Sequence, residues 1–175
     1  MFHADTQFLI THWTGLARRP QARGGIPART ALAPEALGGR LNRAFVLDEA
    51  GPHARFRLAG SWLESLCQRP LAGRAFGDMW CDSSPALVFP ALARSVREVR
   101  PFVVTAQVDG GGPAAEVCLA PLRATTGEVL ILGLVAASAG ALPGSAPRRL
   151  VARLSVAAGE TIRPPLRLVS SRRSA

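Results

Sequence analysis

Between Phe45 and Trp80 the chain changes its hydrophobic period several times within a short distance, and this limits the folds open to it. Phe45-Val46-Leu47-Asp48 reads as a strand, and Ala50-Gly51-Pro52-His53 as a turn. Arg55-Phe56-Arg57-Leu58-Ala59-Gly60 alternates basic and apolar residues, which suits a strand with one wet face. That pattern places Phe56 and Leu58 together on the buried side. Ser61 to Cys67 then switches to helical spacing through Trp62, Leu63 and Leu66, with Ser61 as its expected cap. Gly73 marks a turn, and Phe76 to Trp80 is one more helical turn.

The rest of the chain extends this order. A helix is expected from Ser83-Ser84-Pro85 to Val99, with Val88, Leu92 and Val96 on one face. Pro90 predicts either a kink or a later start. Strands are predicted over Phe102–Val108, Ala115–Leu119 and Glu128–Ala137, joined by the Asp109-Gly110-Gly111-Gly112-Pro113 and Thr125-Thr126-Gly127 turns. Upstream, Asp5 to Arg18 carries Phe8, Leu9, Trp13 and Leu16 at helical spacing, with Asp5 or Thr6 as the expected cap. Gln21 to Thr30 is rich in Gly, Pro and Arg and reads as a plain connector, followed by a helical turn at Pro34. Leu150 to Val156 has the character of one further strand.

Composition narrows the function classes. All 21 basic residues are arginine, and the net charge is +9. The arginines are spread from Arg18 to Arg173 without a helix-borne stripe, so a solvated basic surface is expected rather than a nucleic-acid site. No apolar run is long enough to span a membrane, and the start lacks the pattern of a secretory signal, which points to a cytoplasmic protein. Cys67, Cys81 and Cys118 are odd in number and widely spaced, which predicts free thiols with no disulfide framework and no zinc site.

No catalytic constellation is visible in the sequence. Gly60-Ser61-Trp62 lacks the Gly-x-Ser-x-Gly elbow. Asp78 and Asp82 have no histidine or metal partner nearby in the sequence. Asp109-Gly110-Gly111-Gly112 lacks the lysine and helix of a phosphate loop. Arg148, Arg149 and Arg153 have spacing able to chelate phosphate, but a flexible basic tail accounts for them better. His3, His12 and His53 all lie away from the segments expected to line a pocket, which disfavours haem.

The element order and the quoted segments resemble the PAS family, in particular the single-domain PAS-like proteins common in alphaproteobacteria. The matching pieces are Trp13, Phe45-Val46-Leu47-Asp48, Arg55 to Gly60, Leu71-Ala72-Gly73-Arg74 through Trp80, and Glu116 to Leu122 with Gly127 and Ile131-Leu132-Gly133. The resemblance implies an α+β PAS-like fold, with a five-stranded antiparallel sheet, helices on one face and an additional N-terminal helix. The expected organisation is a flanking helix (residues 1–20), a linker with a short helix (21–40), the PAS-like core (41–138) and a basic, partly disordered tail (139–175).

The resemblance implies a cytoplasmic signalling regulator or adaptor that senses a signal or binds partner proteins such as histidine kinases, with a homodimer as one option, and the missing catalytic constellation implies no enzymatic activity. A light-oxygen-voltage flavin site needs a cysteine in an Asn/Arg/Gln pattern that is missing around Cys67 and Cys81, so no cofactor is expected. The alternative is a sensor holding a small apolar ligand or a cofactor between sheet and helices. The candidate pocket or core residues are Phe56, Leu58, Trp62, Leu66, Phe76, Trp80, Leu92, Val104 and Leu119, and Val117 and Leu132 are expected in the same core. Phe8, Leu9, Trp13 and Leu16 form the candidate interaction helix, covering the sheet or meeting its mate in a dimer.

Overall fold

The computed structural model describes residues 1–137 and 146–159. Helix α1 (Ala4–Ala17) precedes a segment of 3₁₀ turns at Arg29–Ala31 and Pro34–Arg43. Strands β1 (Ala44–Leu47) and β2 (Phe56–Ala59) follow, then α2 (Ser61–Cys67), a 3₁₀ turn (Phe76–Met79) and α3 (Pro85–Arg97). Strands β3 (Phe102–Val108), β4 (Ala114–Arg123), β5 (Val129–Ala137) and β6 (Leu150–Ala157) complete the fold. All the strands form one antiparallel sheet in the order β2-β1-β5-β4-β3-β6.

The sheet therefore has six strands rather than the expected five. The extra strand is β6, where Leu150 to Val156 has strand character in the sequence, although the expected organisation placed it in the tail. It pairs with β3 along its whole length, from Phe102↔Ala157 to Val108↔Leu150. Arg148, Arg149 and Arg153 lie at or within this strand and are separately engaged: Arg148 with the Asp109 carbonyl, Arg149 with Asp82, and Arg153 with Gln107. The end of the tail expected to be partly disordered, residues 160–175, lies outside the described residues.

Two cores sit on opposite faces of the sheet. The inner core joins α2, the Phe76–Met79 turn and α3 to Phe45, Leu47, Phe56, Val104, Val117, Leu119, Ile131 and Val135. The outer core joins Leu9 and Trp13 of α1 to Val103, Cys118, Ala120, Leu122, Leu132 and Leu134. Side chains alternate between the two cores because neighbouring residues of a strand point to opposite faces. With both faces covered, β4 and β5 read as almost unbroken apolar runs. Leu132, expected in the same core as Phe56, belongs to the outer core for this reason.

Local chemistry explains where several elements begin and end. Helix α1 is capped by His3, whose Nδ1 accepts the Asp5 N–H, rather than by Asp5 or Thr6. Helix α2 starts after Gly60 with no side-chain cap. A Cβ at Gly60 would lie 2.2 Å from the Asn42 carbonyl oxygen, so only glycine lets β2 turn there into α2. Helix α3 runs through Pro90 without ending. Ser84 stands at its N-cap position but makes no capping bond. Its hydroxyl instead accepts from the Ala152 N–H and donates to the Leu150 carbonyl, tying the helix start to β6.

Gly133 is a second position where only glycine fits. It pairs with Phe45 on one side and Leu119 on the other, and the Phe45 ring lies across it. A Cβ there would come within 1.9 Å of that ring. Gly133→Ala should cost about 1–3 kcal/mol through overpacking. Urea unfolding of the two proteins checks this, and equal midpoints would show that the Phe45 ring can move aside.

Candidate functional surface

The structure separates the sequence-predicted site residues. Phe56, Trp62, Leu66, Phe76, Trp80, Leu92, Val104 and Leu119 come together in the inner core. Leu58 does not, being 55% exposed on the opposite face. The cause is a bulge in β2. Phe45 pairs with Ala59 and Val46 with Leu58, but the next residue, Leu47, pairs with Phe56. Arg57 is thus an extra residue, and it reverses the alternation that the sequence suggested.

The space between sheet and helices is occupied by aromatic rings. Phe76 lies 5.6 Å from Phe45, 5.7 Å from Phe56 and 5.9 Å from Trp80 between ring centroids. Phe89 of α3 adds a fourth contact at 6.4 Å. The angles are mostly edge-to-face, the packing that aromatic quadrupoles favour. Buried polar residues among those described are Thr6, Ser84 and Ser95, none of them charged. Ser84 and Ser95 donate to the backbone carbonyls of Leu150 and Leu92.

The Trp80 indole N–H, buried in the inner core, has no hydrogen-bond partner among the described residues, and no histidine lies there to ligate a haem. His3 caps α1, His12 stacks on Phe8, and His53 is exposed at the β1–β2 turn. Cys67 lies in the inner core and Cys118 in the outer core. Burial pushes both thiols above the ordinary cysteine range, with Arg69 partly opposing this at Cys67. Neither thiol is poised as a nucleophile. Asp78 and Asp82 face different partners, Arg69 at 3.5 Å and Arg149 at 2.9 Å. No group of three or more metal-ligating side chains occurs among the described residues. No helix there is long and apolar enough to cross a membrane.

The candidate interaction helix packs on the chain's own sheet. Leu9, Trp13 and Leu16 are buried, while Phe8 is half-buried beneath the Arg40 guanidinium at 4.2 Å. The Trp13 indole N–H donates to the Pro121 carbonyl of β4 at 2.6 Å.

Beside α1, the outer face opens into a groove of about 600 Å³. Its floor is Val46, Leu58, Leu122 and Leu132, and its wall is Leu32, Pro34, Leu37 and Leu41. Leu41 is 49% exposed and Leu58 is 55% exposed, and the two lie together on this groove rather than singly on the surface. Apart from Leu58, these groove residues were not identified as a site from the sequence. The available signal was three leucines, Leu32, Leu37 and Leu41, in a stretch otherwise of connector composition. That stretch is held firmly against the sheet. The Arg123 N–H donates to the Pro27 carbonyl, Ala28 bridges Arg123, and the Arg40 guanidinium pairs with Asp5 at 2.6 Å.

An antiparallel sheet bearing short helices and one longer helix on one face, with a flanking N-terminal helix on the other, is the architecture of a sensor-type signalling domain. A PAS domain family model matches residues 1–136, and the chain belongs to the PAS domain family. No curated protein matches it. Among solved structures, it is similar to one described as "Flavin Analogue Sheds Light on Light-Oxygen-Voltage Domain Mechanism". That similarity has a TM-score of 0.39 and 17% identity, over 55% of this chain and 77% of the other. A similarity that low does not bear on ligand or mechanism.

Proposed function

We propose that this PAS domain is a non-enzymatic adaptor of cytoplasmic signalling, acting by binding a partner protein such as a histidine kinase. The observation that carries this reading is the contrast between the two faces. The inner space, where a ligand would sit, is filled by Phe45, Phe56, Phe76 and Trp80, each at most 2% exposed. The outer face instead presents an apolar groove rimmed by half-exposed leucines. Exposed apolar surface of this kind is typical of a protein–protein contact. The kinase class of partner is carried over from the sequence resemblance. No acid/base pair or activated nucleophile supports an enzymatic reading.

The full-length protein, purified and examined by absorption spectroscopy and native mass spectrometry, should show no visible chromophore and the mass of the bare chain. It should also bind the dimerisation and phosphotransfer region of a histidine kinase from its own cell in a pull-down. A visible chromophore or an added small-molecule mass would favour the sensor reading instead, with the ligand between sheet and helices.

A further inference from the structure

We infer that the outer groove receives an acidic, amphipathic helix of the partner. This rests on the adaptor reading and names the site and its recognition chemistry. The groove does not end at its leucines. A second depression shares Arg29, Thr30, Val46 and Leu58 with it and continues to Thr126 and Glu128. A third shares Thr30, Ala124 and Thr125 with the second. Together they form a trench, apolar near Leu41 and Leu132 and basic towards its other end. Along the sheet it runs from Ala44, which pairs with Leu134, to Glu128. That span is about 20 Å at the rise of a strand, the length of three to four helical turns.

Charge sets the sign of the occupant. The three depressions are lined by Arg23, Arg29, Arg57 and Arg123 against a single carboxylate, Glu128. Glu128 pairs with Arg57 at 3.0 Å, and the Arg29 guanidinium has no partner among the described residues. The trench therefore favours carboxylates on the partner.

The same charge excludes two nearer occupants. Residues 160–175 of this chain carry Arg163, Arg167, Arg172 and Arg173 against Glu160 alone. A second copy docking through the same surface would set arginines against arginines. The open geometry separates a helix from a fatty acid. With Leu41 and Leu58 half exposed, an acyl chain would keep much of its surface in water. An amphipathic helix needs burial on one face only, through anchors at i, i+4 and i+7.

The test uses the full-length protein and a labelled synthetic helix with leucines on one face and glutamates on the other. Fluorescence anisotropy should show binding that weakens as salt rises. Leu58→Glu and Arg29→Glu should each weaken binding by about tenfold or more. Leu154→Glu, at an exposed leucine of β6, should leave it unchanged. Both groove positions are exposed, and circular dichroism confirms that the variants are folded.

Absence of peptide binding would overturn the proposal, as would binding indifferent to Leu58→Glu. Saturation by oleate, or by a peptide of residues 160–175, with no binding of the acidic helix would overturn it too. A kinase pull-down that survives Leu58→Glu would leave the adaptor reading intact and show that its contact lies elsewhere. Loss of the pull-down in Leu58→Glu but not in Leu154→Glu supports both.

Discussion

Phe76→Ala should destabilise the domain by about 3–5 kcal/mol, among the largest effects of any single truncation in the chain. Phe76 has no exposed surface and touches rings from four places: Phe45 on β1, Phe56 on β2, Phe89 on α3, and Trp80 just after its own turn. Deleting the ring removes those contacts and leaves a void. The walls cannot easily close it, because sheet hydrogen bonding fixes two of the rings and α3 fixes a third. The cost of a cavity rises with how poorly its site can collapse. Equilibrium urea unfolding measures the difference. A loss below about 1 kcal/mol would mean that the surrounding rings repack, and that this core is softer than its geometry indicates.

Trp13→Ala should be nearly as severe, also about 3–5 kcal/mol, for a different combination of reasons. Trp13 is 3% exposed, so most of its apolar area is lost from the outer core. Its indole also satisfies the Pro121 carbonyl, and truncation leaves that buried acceptor without its donor. Trp13→Phe separates the two effects, since it restores much of the area and still removes the bond. Its loss should be about 1–3 kcal/mol. A truncated form beginning at Gly24 should expose Val103, Cys118, Ala120 and Leu134, and should unfold or aggregate. A truncated form that kept the full-length melting temperature would show that α1 is dispensable to the fold.

The order of elements was legible in the sequence because each carries its own signal. Period two marks β2 and β3, helical spacing marks α1 to α3, and Gly-rich turns separate β3, β4 and β5. The positions that were misread depend on contacts distant in sequence. The side-chain direction of Leu58 is set by a bulge opposite β1, and no local pattern announces a bulge. Leu132 was assigned to the wrong core because β5 is apolar on both faces, so alternation gives no sign of which face is which. The sixth strand was uncertain because β6 has exposed Arg153 and Leu154 at its middle and only one neighbouring strand.

The candidate site was the least legible part. The expected pocket residues do converge, apart from Leu58, but they fill the space they surround. The groove on the other face is built from Leu32, Leu37 and Leu41 meeting Val46, Leu58 and Leu132. Val46, Leu58 and Leu132 come from three different strands, and the other leucines come from a stretch with neither helical nor strand period. Only the folded chain brings them together. Arg29 was one arginine among many in the sequence, and its position at the groove is what distinguishes it.

A strand covered on one face leaves every second residue free to drift over generations. The stretch from Val117 to Leu122, and that from Leu130 to Ala137, has no such freedom, since the inner core takes one set of side chains and the outer core the other. Inheritance in this part of the domain is therefore constrained at consecutive positions. Variation is left to the turns and the edge strands.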